Sequence, residues 1–158
     1  MNKKYVVFLI IVLALSLFGA NAFLKKDNLN TNSVDSNNQY SEKVLRALSV
    51  YPDLSRVEGE AVGIAAQPGD FYLLSKTLIV EANEGDLLVL FNSKKAVYRA
   101  LAIWVLNKKN RSKYLPLIKE NVADAGVITY CSSGCFYQES TVGQFAKDVI
   151  ESKGLLDR

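Results

Sequence analysis

Cys131-Ser132-Ser133-Gly134-Cys135 holds both cysteines of this 158-residue chain, at C-x3-C spacing. A loop bent at Gly134 can bring the two Cα atoms within the roughly 4.4–6.8 Å that a disulfide needs. A redox site would want C-x-x-C at a helix N-terminus in a βαβ setting, and neither is present. A metal site from two thiols alone is weaker still. Carboxylates are the other candidates for chemistry: Glu58, Glu60, Glu81 and Asp86. Glu58 and Glu60 are two apart and diverge on a helix. Glu81, Glu84 and Asp86 fall at a helix boundary, where first-turn acids favour the helix dipole. The chain has no histidine. That removes His-based acid–base work, Ser-His and Cys-His nucleophile pairs and nearly all zinc sites. No catalytic, cofactor-binding or metal-ligating set emerges, and no cofactor is expected.

Charge is uneven. Asp53 to Asp86 carries seven acids against Arg56 and Lys76, whereas Lys94 to Lys119 carries eight bases and no acid. Lys108, Lys109, Arg111 and Lys113 lie within six residues and offer a docking patch for an acidic partner or anionic headgroups. The alternative is a set of turns whose opposite charges dock neighbouring elements. Arg99 stands alone in the apolar stretch Ala96 to Leu106. A buried charge needs a partner, and Asp86 or Asp124 would serve.

The amino terminus sets the compartment. Lys3 and Lys4 precede Val6 to Phe18, thirteen residues apolar but for Ser16, and Ala20-Asn21-Ala22 follows. A basic n-region, an h-region of this length and an A-x-A ending read as an export signal, residues 1–22. Uncleaved, Val6 to Leu24 is long enough to anchor the chain in a bilayer. No cysteine follows the h-region, so lipoprotein processing is excluded. The chain is expected in the periplasm, secreted, or anchored in the inner membrane with its domain outside the cytoplasm. Without Lys3 and Lys4 the net charge of +3 falls to +1, too small for a nucleic-acid binder. Residues 23–39, rich in Asn, cannot bury enough surface to order themselves and read as a disordered linker. The domain is expected over 40–158.

From Tyr40 onward the pattern reads as helical. Expected helices cover Glu42 to Val50, Asp53 or Ser55 to about Ala66, Phe71 to about Ala82, Asn83 to Phe91, Lys94 to Leu106, Arg111 to about Asn121, and Thr141 to about Ser152. Pro52 and Pro68-Gly69 punctuate them, and Phe71, Leu74, Leu78 and Ala82 keep to one helical face. Val127 to Tyr137 reads as irregular. Short helices in antiparallel succession predict an all-α fold, a short α-solenoid.

Arg99, Ala102, Ile103 and Leu106 sharpen that expectation, because the stretch Leu87 to Leu106 resembles a HEAT repeat, in which an apolar helix end, a polar turn and an Arg-containing helix with small residues recur. Leu87 to Val149 also resembles a family of uncharacterised exported bacterial proteins, through Tyr98 to Leu106, Gly134-Cys135 and Thr141-Val142-Gly143-Gln144. Gln144 departs from it, standing where an acid is expected. The resemblance implies a fold and no activity. Trp104 is expected in the core, and Cys131 and Cys135 are expected to be bonded to each other in an oxidising compartment. The function expected is a non-enzymatic helical interaction module with an envelope protein partner, of immunity, inhibitor or scaffold type. The alternative is an envelope enzyme using Cys131 and Cys135 or the carboxylates. Membrane contact would run through residues 6–24 if the signal is retained.

Overall fold

The computed structural model describes residues 40–134, 136–151 and 156. The export signal, the anchor and the linker over 23–39 fall outside the described residues. The elements run α1 (Glu42–Val50), β1 (Arg56–Val62), α2 (Asp70–Glu81), α3 (Glu84–Phe91), α4 (Ala96–Glu120), a 3-10 turn (Asn121–Ala123), β2 (Val127–Gly134), β3 (Gln138–Thr141) and α5 (Val142–Ile150).

The all-α solenoid is overturned. The domain contains a three-stranded mixed sheet, ordered β1-β2-β3, with β1 and β2 parallel and β2 and β3 antiparallel. The helix expected from Asp53 or Ser55 to Ala66 is strand β1, and the stretch read as irregular contains β2. The physical reason is a period of two. In Arg56-Val57-Glu58-Gly59-Glu60, exposed or half-buried charged residues alternate with the buried Val57 and Gly59. In β2, Ile128 and Tyr130 turn inward and Val127 and Thr129 outward. Gly59 is required by the pairing: a Cβ there would lie 2.0 Å from the Ser132 carbonyl oxygen. A glycine inside a helix would instead cost about 1 kcal/mol. The outer edge of β1 is also occupied. Gly69 N–H donates to Gly59 O, Glu60 N–H to Leu156 O, and Val62 exchanges both bonds with Gln67.

The other helices lie close to where their periodicity puts them. α4 is the hub. Every residue from Ala100 to Leu106 is buried, Trp104 included at 4% exposure, and the helix touches α2, α3, α5 and the sheet. Phe71 of α2 and Phe145 of α5 meet edge to face, with Tyr130 of β2 against the same Phe145 ring. α4 is two helices in series. Asn110 is extended (φ −161°) and its Oδ1 accepts from Lys113 N–H at 3.1 Å, an N-cap for the second helix.

The domain's first residues are pinned to α3. Ser41 donates through N–H and Oγ to the Asp86 carboxylate, at 2.6 and 2.8 Å. The same carboxylate closes a capping box with Asn83.

Candidate functional site

The four basic residues named for docking each have an intramolecular role. Lys109 reaches across from α4 and donates to Ile79 O and Ala82 O at the end of α2, at 2.7 and 2.8 Å. Arg111 donates to Val149 O and Ile150 O at the end of α5. Cations at helix C-termini satisfy orphan carbonyls and meet the negative end of the dipole. Lys113 pairs with Glu84, which holds that carboxyl below its ordinary range and the lysine above its own. The Lys108 ammonium lies 4.6 Å from the Trp104 ring centroid. Neutral variants test this helix capping. Lys109→Met should cost about 1 kcal/mol and Arg111→Met about 1–2 kcal/mol in urea unfolding. No loss in either variant would return these bases to the surface patch that the sequence suggests.

Arg99 meets Asp124, one of the two acids its position calls for. The pair is bidentate, Nε to Oδ2 at 2.6 Å and Nη2 to Oδ1 at 2.8 Å. The third nitrogen donates to Ser93 O and Lys94 O. The guanidinium holds the Asp124 carboxyl below its ordinary value, and Gly126 N–H, bonded to the same group, adds to this. A Cβ at Gly126 would come within 2.2 Å of Arg99 Nη2 and 3.0 Å of Asp124 Oδ1, so a larger residue there would displace the pair.

The candidate carboxylates take separate partners. Glu81 pairs with Lys43, Asp86 serves Ser41 and Asn83, and Glu58 accepts from the Tyr137 hydroxyl at 2.8 Å. Glu60 is exposed on β1. Asp53, Glu58 and Asp70 do border one small cleft of about 140 Å³, but no group of three or more acids and cysteines suited to a metal occurs among the described residues. A larger groove of about 620 Å³ runs between α1 and α2. It is floored by Ala47, Val50 and Thr77, with Lys43–Glu81 and Glu42–Arg46 ion pairs on its rim.

Cys131 lies opposite Glu58, so it is on the other face of β2 from Tyr130, yet it is buried. Its Sγ is 3.6 Å from Ser133 O and 3.5 Å from Gly134 O. The expected Cys131–Cys135 bond depends on a residue outside the described set. Tyr137 is near this thiol, with the Arg56 guanidinium 5.0 Å from its ring centroid. Its hydrogen bond to Glu58, followed by burial, raises the phenol above its ordinary value. Tyr137 therefore keeps its proton near neutrality and offers no phenolate nucleophile.

The residues that sequence reasoning missed lie at one end of the sheet. Val62 and Gly134 are the last parallel pair. Beyond Val62 the chain turns through Gly63–Ala66 and returns at Gln67, with left-handed backbone at Gly63 and Ala66 (φ 72° and 48°). Gly63 N–H donates to Gly134 O at 2.7 Å and ties this turn to the end of β2. Ile64 stands two residues past Val62 and is 100% exposed; Phe136 stands two residues past Gly134 and is 90% exposed. Tyr137 is less exposed and turns back toward the start of β1, with its ring over Arg56 and its hydroxyl on Glu58. The available signal was an apolar residue held between Gly63 and two alanines, and another just after Gly134.

A scan against protein-family models finds no match, and a search of curated proteins finds no relative.

Proposed function

We propose that this chain is an exported, non-enzymatic binding module of the cell envelope, with Ile64 and Phe136 in its contact surface. The observation that carries the reading is the exposure of Ile64, on the turn after β1, and of Phe136, after β2, where Gly63 N–H donates to Gly134 O. Large apolar side chains left in water on segments that a backbone hydrogen bond ties together are candidates for an interaction surface. Two further observations support it. Among the described residues no buried side-chain nitrogen or oxygen lacks a hydrogen-bond partner. The cations Arg99, Lys109 and Arg111 join elements of the fold. Export rests on the pattern of residues 1–22.

A photoreactive amino acid at position 64 or 136 should give discrete adducts in the native envelope. The same group at Val80, exposed on α2, should not. The pattern should persist in Cys131→Ser. Adducts no stronger at 64 and 136 than at 80 would sink the proposal. A turnover abolished by Cys131→Ser would favour the enzyme.

A further inference from the structure

Resting on that reading for Ile64 alone, the geometry points to a second copy of this chain as the partner: we infer that the turn Gly63–Ala66 of one copy seats Ile64 in the groove between α1 and α2 of the next.

The turn is a fixed knob. Val62 and Gln67 exchange both backbone hydrogen bonds, Ala66 N–H donates to Gly63 O, and Gly63 N–H donates to Gly134 O. Gln67 Nε2 closes the turn from within by donating to Ala65 O at 3.2 Å. Ala66 is held in left-handed backbone (φ 48°), which an L side chain adopts only where its surroundings enforce it. A turn ordered in advance gives up little freedom on docking. Ile64, 100% exposed, is the large apolar side chain at its tip. Among the described residues, Ile64 N–H, Ala65 N–H and the Ile64 carbonyl have no hydrogen-bond partner. Hydrocarbon would leave these three groups unsatisfied, so the tip calls for an apolar seat with polar atoms at its edge.

The α1–α2 groove is such a seat. It has a volume of about 620 Å³ over Ala47, Val50 and Thr77. Its rim carries two acids and two bases, already matched as Lys43–Glu81 at 2.8 Å and Glu42–Arg46 at 2.9 Å. The segment Ala61–Gly69 has no charged residue, so it enters without breaking either pair. The rim carboxylates keep lone pairs for the Ile64 and Ala65 N–H groups. A second groove of about 430 Å³, beside Val127, fits less well: it contains Asp53 and Lys95, neither in an ion pair among the described residues, and an insert would strip water from both. Val80 does not line the α1–α2 groove. Because Ile64 is wholly exposed, its own groove does not hold it, and the contact runs between copies. A knob and a hole on different parts of one chain make a head-to-tail contact, which closes into a ring or continues as a string.

The test uses the full-length chain in the native envelope, with an aliphatic diazirine amino acid at position 64. Irradiation should give an adduct of twice the chain's mass, and peptide mass spectrometry should place the cross-link on α1 or on Thr77–Glu81. Val50→Arg with Thr77→Arg, both at exposed positions, sets two cations across the groove. That pair should lower the adduct about tenfold, the effect of excluding one apolar side chain from its seat. Co-expressing an unlabelled chain that carries Ile64→Asp and an intact groove should restore it, because the labelled turn then has a groove to enter. The mapping needs no variant, so it decides even where the double substitution unfolds the domain. A doubled adduct mapped outside those two segments overturns the inference, and so does a yield that a folded double variant leaves unchanged. If position 64 captures a different protein, the binding-module reading stands and only the second copy is lost. If neither 64 nor 136 captures anything, the module reading falls as well.

Discussion

Trp104→Ala should destabilise the domain by about 3–5 kcal/mol, the largest loss expected of any single truncation here. The indole lies in a run of seven buried residues on the one helix that touches α2, α3, α5 and the sheet. A void there strips contacts from several elements at once, and a close-packed interior relaxes only partly into it. Urea unfolding followed by far-UV circular dichroism measures the loss. A cost below about 1.5 kcal/mol would mean that α4 is not the hub. In the unmodified chain, iodide should barely quench Trp104 fluorescence until the domain unfolds.

Arg99→Met should cost about 3 kcal/mol, because it leaves the Asp124 carboxylate largely buried with its cation gone. The side chains of the pair are only 18% and 14% exposed. The guanidinium also spans Ser93, Lys94 and Asp124, so it joins the turn before α4 to the turn before β2. The double variant Arg99→Met with Asp124→Asn should recover part of the loss, since the amide oxygen can still accept from Gly126 N–H and no charge is stranded. Additive costs would show that the pair is not coupled.

The pH dependence of this pair has a definite sign. Asp124 titrates lower in the folded domain than its ordinary value of 3.8. Its stabilisation is thus fully present above that value and fades as pH falls below it toward the folded value. Arg99→Met should flatten this acid limb of the stability curve. An unchanged acid limb would remove the pair from the account.

The helices were largely legible and the sheet was not. Phe71, Leu74 and Leu78 mark α2 by their spacing and are all buried, and the apolar run of α4 declared a helix buried all round. β1 offers a periodicity reading only one large apolar side chain before Ala61, because its second inward position is Gly59, emptied for the Ser132 carbonyl. Charges misled in a different way. Lys108 to Lys113 look like a free patch in a linear count, yet Lys109 reaches carbonyls of α2 and Arg111 reaches those of α5. Such partners are set by tertiary packing and leave no local trace. Ile64 and Phe136 were missed for the opposite reason: an isolated apolar residue resembles a core residue until its surroundings are known.

The parallel pairing of β1 with β2 has a consequence for how the chain is made. Val57 lies opposite Tyr130, about 70 residues later, so at roughly 5–20 residues per second β1 waits about 4–14 s for its partner to be synthesised. Leu156, which accepts from Glu60 on the other edge, arrives later still. A strand left unpaired for that long invites pairing with another nascent chain. Arg56, Glu58 and Glu60 put a charge at every second position, and Gly59 weakens the strand's intrinsic tendency to pair. The composition that hides β1 from a periodicity search is therefore the one that keeps it soluble until the rest of the sheet exists.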